Sequence, residues 1–71
     1  MNGKEIGRLE NYLKKKFKLE SIELRQRPGA DDSVEVYIGD EFIGLIFRDD
    51  EDGDLCYNFQ MAILDFDLDE A

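Results

Sequence analysis

The sequence predicts an α+β fold in which an N-terminal helix packs on a four-stranded antiparallel meander sheet, in the order α-β-β-β-β. Apolar residues recur at helical spacing near the N-terminus, whereas later segments alternate apolar and polar residues, as β-strands do. The pairs Pro28-Gly29 and Gly39-Asp40 separate the alternating segments and are typical of turns. The 71 residues are therefore expected to form one domain.

The first element is predicted to be an amphipathic helix over residues 3–18. Asn2 is a suitable N-cap, and Glu5 follows at the spacing of a capping box. The expected core stripe consists of Ile6, Leu9, Leu13 and Phe17. A basic stripe on the opposite side consists of Lys4, Arg8, Lys15 and Lys18. The simplest interpretation of this basic stripe is a solvated helix face, and the functional interpretation is a docking strip for an acidic partner.

Four strands are predicted at residues 21–27, 33–38, 41–48 and 55–64, followed by an acidic tail at residues 65–71. A two-residue Gly39-Asp40 turn would place Val36 opposite Ile43 and Val34 opposite Leu45. The expected inward face of this central hairpin consists of Val34, Val36, Ile38, Ile43, Leu45 and Phe47.

The position of the last strand depends on the acidic turn before it. A three-residue loop ending at Gly53 in the left-handed region would set Phe47 opposite Tyr57. A two-residue Asp52-Gly53 turn would instead set Phe47 opposite Asn58 and direct the polar side chains of the strand to the core. We therefore prefer the three-residue loop.

Composition argues against several functional classes. The sequence has no histidine, which removes the commonest general base, and its one cysteine cannot supply a thiolate zinc site. No nucleotide-binding motif is present, and the acidic loop at residues 49–54 lacks the ligand spacing and flanking helices of an EF-hand. We expect no enzyme, no cofactor and no specific metal site, although weak divalent-cation binding by this loop remains an alternative.

The charge distribution bears on partners and location. The net charge is −9, yet residues 1–27 hold eight of the nine basic residues and only four of the eighteen acidic ones. The chain as a whole should repel nucleic acid and anionic membranes. No apolar run is long enough for a membrane span, and a single cysteine allows no internal disulfide, so we expect a cytoplasmic protein.

The outer face of the sheet is the candidate interaction surface. In the preferred register its members are Tyr37, Phe42, Ile46 and Ala62. One helix covers one face of a sheet, so a cluster of large apolar groups on the other face indicates a contact with a protein partner or with a second copy of the chain. The alternative is that residues 64–68 fold back and cover this face.

One long stretch of the sequence is similar to a known family. The stretch reads DDSVEVYIGDEFIGLIFRDDEDGDL, and the helical segment RLENYLKKKF extends the similarity over nearly the whole chain. It resembles a family of short acidic bacterial proteins known only as a domain of unknown function. The resemblance implies a small cytosolic bacterial protein, and it transfers no activity and no catalytic residue.

Two functions are therefore expected. The first is a small protein-interaction module that uses the outer sheet face, either as a homodimer or with another protein. The alternative is a nucleic-acid-associated protein that uses the basic stripe, which the net charge of −9 opposes. A salt-dependent gel shift with generic DNA and RNA would separate the two functions.

Overall fold

The computed structural model describes residues 1–51 and 53–69 of the chain. The elements are α1 (Gly3–Phe17), β1 (Ile22–Arg27), β2 (Ala30–Ile38), β3 (Glu41–Asp49), β4 (Cys56–Gln60) and α2 (Asp65–Asp69). The four strands form one antiparallel meander in the order β1-β2-β3-β4, so the predicted fold class is confirmed. Asp52 of the predicted acidic turn and the last two residues of the predicted tail lie outside the described residues.

Local sequence signals determine both ends of α1. The Asn2 side chain accepts a hydrogen bond from the Glu5 amide at 2.8 Å, which satisfies one of the free donors at the helix start. At the other end Lys18 adopts a left-handed conformation with φ 53°, and the Leu19 amide donates to the Lys14 carbonyl at 3.0 Å. The helix therefore ends at Phe17, one residue before the predicted boundary.

Two tight turns join the first three strands. Gly39 and Asp40 have φ values of 56° and 67°, and the two-residue turn predicted at this position is confirmed. At the preceding turn Gly29 has φ 76°, and Arg27 pairs with Ala30. The second strand therefore begins at residue 30 rather than 33, and the residues expected to form a loop belong to the sheet.

The predicted inward face of β3 is wrong for Leu45 and Phe47, because the strand contains a β-bulge, whereas Ile43 packs against the core as predicted. Tyr37 pairs with Phe42, whereas Val36 pairs with Gly44, so Ile43 is the extra residue. One extra residue moves every later side chain to the opposite face. Ile46 consequently lies in the core, and Leu45 is half-buried on the outer face.

The preferred register of β4 is also wrong. Phe47 pairs with Asn58, and Ile46 pairs with Phe59. This is the pairing that was expected from a two-residue Asp52-Gly53 turn. The connection between β3 and β4 is nevertheless six residues long. Because the bulge has already reversed the faces of β3, this pairing keeps Phe59 on the side of the helix. Gly53 has the predicted positive φ, at 86°.

The core lies between α1 and the inner face of the sheet. Its buried apolar members are Leu13, Ile22, Leu24, Val34, Val36 and Ile46. Of the predicted helix stripe, Ile6 and Leu9 pack partly buried against this cluster, whereas Phe17 is about half exposed. The core is therefore centred on β1, β2 and Leu13 of α1, and the edge near β4 is less completely covered.

The end of β4 passes very close to β3. A Cβ atom added at Gly44 would overlap the Gln60 carbonyl oxygen and would lie 3.0 Å from Cβ of Met61. Gly44 pairs with the buried Val36, so this contact occurs on the helix-facing side of the sheet. β4 ends here at Gln60, four residues before the predicted boundary, and the segment after it includes the short helix α2.

We expect Gly44→Ala to lower the free energy of unfolding by about 1–3 kcal/mol, because the methyl group meets backbone that must move. Gly7→Ala is the control, since Gly7 lies within α1 and nothing lies within 4 Å of its added Cβ. That change should raise the free energy of unfolding by about 0.5–1 kcal/mol. Urea denaturation measures both, and a Gly44→Ala variant as stable as the parent would contradict the close approach.

Candidate functional site

An aromatic pair lies beside the Gly39-Asp40 turn on the outer face of the sheet. The Tyr37 and Phe42 rings meet edge to face, with centroids 5.7 Å apart. The Arg25 guanidinium stacks over the Tyr37 ring, 3.8 Å from its centroid, and the Tyr37 hydroxyl donates to Glu35 at 3.0 Å. These contacts fix Tyr37 and half-bury it, while Phe42 remains 51% exposed.

Phe42 also borders an open groove where the chain leaves β4. We define the Phe42 surface as the apolar residues Phe42, Met61, Ala62 and Leu64, which line this groove together. Phe42, Met61 and Leu64 are each about half exposed. Glu41 and Asp67 also line the groove, and none of the lining residues is basic. The surface is thus apolar in its centre and acidic at its rim.

The structure brings together three of the four residues predicted for the interaction surface. Phe42 and Ala62 line the groove, and Tyr37 packs behind Phe42. Ile46 does not take part, because the bulge in β3 turns it into the core, where it is 2% exposed. The expectation that Ile46 lies on the outer face is wrong.

The alternative in which the tail covers the aromatic pair is not what the structure shows. Leu64 reaches the groove, but Phe66 and Leu68 are 61% and 62% exposed, and Phe42 stays half open. Sequence reasoning missed Met61 and Leu64 as surface residues because the fourth strand was predicted to continue through residue 64. The available signal was Gly44, whose missing side chain lets the chain leave the strand.

A second apolar groove runs between α1 and β4. We call it the α1–β4 groove, and its main lining residues are Leu9, Tyr12, Leu13, Phe17, Tyr57 and Phe59, with Lys16 beside them. The Phe17 and Phe59 rings meet edge to face, with centroids 6.5 Å apart. Tyr12 and Phe17 are nevertheless more than half exposed. The sequence did not predict this groove, because Phe17 was expected to lie in the core.

A polar cluster at one end of this groove joins α1 to the sheet. The Tyr57 hydroxyl donates to Oε2 of Glu5 at 2.5 Å, and Nη1 of Arg48 lies 3.4 Å from the same oxygen. The hydrogen bond from Tyr57 holds the pKa of Glu5 below its usual value. The same bond raises the pKa of Tyr57, because removing its proton would place two negative charges together. The cluster therefore fastens the first turn of the helix to β4.

The predicted basic stripe is exposed along α1 and its C-cap residue. Its members Lys4, Arg8, Lys15 and Lys18 all face solvent. Lys4 and Arg8 lie beside Arg48, whose guanidinium pairs with Glu5 and Asp50. The stripe is therefore accessible, but Arg48, the cation of the sheet that lies beside it, is shared with two carboxylates.

Within residues 1–51 and 53–69 no group of three histidine, cysteine, aspartate or glutamate side chains is placed to hold a metal ion. Over the same residues no helix is both long and apolar enough to cross a membrane.

The chain was compared with known protein families, curated proteins and solved structures. A family model described as "Protein of unknown function (DUF3126)" matches residues 5–67. The matched range includes α1 from Glu5 onward, all four strands and the first part of α2. No curated protein and no solved structure matches the chain.

We expect Tyr57→Phe to destabilise the fold most at neutral pH. The lowered pKa of Glu5 means that its carboxylate stabilises the fold above the unfolded pKa near 4.5, and this contribution is lost as pH falls through the folded pKa. The raised pKa of Tyr57 means that its contribution is present below the unfolded pKa near 10.0 and is lost as pH rises through the folded pKa.

The measurement is the difference in melting temperature between parent and Tyr57→Phe, followed by circular dichroism from acid to alkaline pH. The difference should be largest at intermediate pH and should narrow toward both extremes. Tyr12→Phe is the control, because it removes the hydroxyl of an exposed tyrosine on the same groove. A difference that stays constant across the pH range would contradict the role of the Glu5–Tyr57 bond.

Proposed function

We propose a function for this chain, which belongs to the family described as "Protein of unknown function (DUF3126)": it is a small interaction module that binds another protein at the Phe42 surface. One observation carries the proposal. Phe42, Met61 and Leu64 stay about half exposed around a single groove, although apolar side chains gathered at one place on a protein surface are normally covered by a partner.

The charge around the groove defines the chemistry of the partner. Glu41 and Asp67 line it, no basic residue does, and the net charge of the chain is −9. A partner with an apolar anchor flanked by basic residues would be attracted and correctly oriented. Two copies of this chain meeting face to face would bring like charges together, so the proposed partner is a different protein.

The aromatic pair is suited to act as an anchor. Tyr37 is held by Arg25 and the Phe42 ring, and its hydroxyl is bonded to Glu35. A side chain packed against such a fixed neighbour loses little conformational freedom on binding. Aromatic residues in this situation are common centres of protein interfaces.

Binding is proposed here rather than catalysis, and in the cytoplasm. The sequence contains no histidine to activate a nucleophile, and its one cysteine is exposed at the end of the acidic β3–β4 connection. The Glu5 carboxylate is engaged by Tyr57 and Arg48 in the contact that joins α1 to β4. A single cysteine that has no second cysteine to pair with is compatible with a reducing compartment.

A second candidate function is nucleic-acid binding by the basic stripe. The observation in its favour is that Lys4, Arg8 and Lys15 of α1 and Lys18, its C-cap, all face solvent. A gel shift with generic DNA and RNA at low salt tests it, with Lys15→Glu as the variant that should abolish any shift. The high net negative charge makes this the weaker of the two proposals.

We expect Phe42→Ser to abolish capture of the partner from an extract of the source cells, or to weaken its dissociation constant by about tenfold or more. Since Phe42 is half exposed, the melting temperature should change by only a few degrees. Phe17→Ser is the matched control, because it removes a phenylalanine of similar exposure on a different surface.

The captured protein is identified by mass spectrometry and titrated by calorimetry against parent and variants. Raising the salt concentration should weaken the binding, because acidic and basic groups attract the two proteins. The proposal fails if Phe42→Ser captures the same proteins with the same affinity as the parent.

A further inference from the structure

The free edge of the sheet at β4 lies next to the α1–β4 groove. β4 pairs with β3 on one side and is the last strand in the sheet order, so its other side is an edge. Tyr12 and Phe17 extend from α1 over the α1–β4 groove and remain more than half exposed. An additional strand beside β4 would cover this groove and pair with the free backbone groups of the edge.

The C-terminal segment has the pattern of such a strand. Apolar Phe66 and Leu68 alternate with Asp65, Asp67 and Asp69. In an extended conformation the two apolar side chains share one side of the segment, and the three aspartates share the other. In the structure these residues form the five-residue helix α2, which buries none of its side chains. A helix this short is marginal in water without tertiary contacts.

We propose that residues 65–69 of a second copy of this chain add to β4 as a fifth strand and insert Phe66 and Leu68 into the α1–β4 groove. The chain's own segment is positioned elsewhere, because it leaves β4 across Gly44 and its Asp67 lies in the groove of the Phe42 surface. If each copy donates its segment to the other, the contact occurs twice and closes a two-fold dimer.

Charge favours this occupant. Residues 65–69 carry three aspartates and no basic residue, whereas Lys16 lines the α1–β4 groove and Arg8 lies at its end next to Tyr57. Opposite charges of this kind raise the rate of encounter between segment and groove. In the added strand the aspartates would point away from the groove, which leaves the new edge charged and protects it from further strand addition.

The test is the mass of the full chain in solution, measured by sedimentation over a range of concentrations. The parent should form dimers, and the double variant Phe66→Ser, Leu68→Ser should weaken the dimer dissociation constant by about tenfold or more. Both side chains are more than 60% exposed in a single copy, so the fold should persist. Ile63→Ser is the matched control, because Ile63 is 65% exposed but lies in the opposite phase of the alternation. Its dimer should equal that of the parent.

A mixing experiment tests the two halves of the contact together. Tyr12→Ser alters the groove and leaves the segment intact. The double variant alters the segment and leaves the groove intact. An equal mixture should associate more tightly than either variant alone, because one segment and one groove remain matched. Phe42→Ser should leave the dimer unchanged, so this inference and the proposed function can fail separately.

Three outcomes would overturn the inference. The first is a parent that stays monomeric at every concentration. The second is a double variant whose dimer is as tight as that of the parent. The third is a double variant that melts earlier than the parent without any change in mass, because the segment would then cover a surface of its own chain.

Discussion

A single extra residue in β3 decides which side chains of that strand face the helix. The bulge leaves Ile43 between the Tyr37–Phe42 and Val36–Gly44 pairs. Before it, Phe42 lies on the outer face next to Tyr37, and after it Ile46 reaches the core. The two-residue Gly39-Asp40 turn is compatible with the burial of Ile46 only because the strand changes phase between them. The bulge thus presents an aromatic pair on one face while filling the core on the other.

The remaining geometry of the exposed surfaces follows from this change of phase. It places a glycine, Gly44, opposite the fully buried Val36. A glycine at that position leaves room for the backbone of Gln60 and Met61 to cross β3. β4 therefore stops at Gln60, and the chain that follows is released as an exposed segment instead of a longer strand. The Phe42 surface results from this early exit, whereas the open edge of β4 follows from its place at the end of the sheet.

The helix, the Gly39-Asp40 turn and the meander could be predicted because each depends on a local signal. Which side chains of β3 face the helix could not be predicted, since Leu45 and Phe47, which the bulge turns outward, are as apolar as Ile46, which it turns inward. With both faces apolar, periodicity gives no preference between the two phases. Burial beneath α1 decides the choice, and burial is a tertiary property. The candidate site was accordingly predicted at Tyr37 and Phe42, beside the turn, and misplaced at Ile46, beyond the bulge.

The uneven charge of the chain connects the two proposed contacts. The first 27 residues hold nearly all the basic residues, so α1 presents cations beside the α1–β4 groove, whereas the Phe42 surface has an acidic rim. The α1–β4 groove therefore favours an acidic partner, and the Phe42 surface favours a basic one. The acidic C-terminal segment is repelled by the Phe42 surface of a neighbouring copy and attracted by its α1–β4 groove. Like-charge repulsion at one surface thus directs self-association to the other, which leaves the Phe42 surface available for a basic partner.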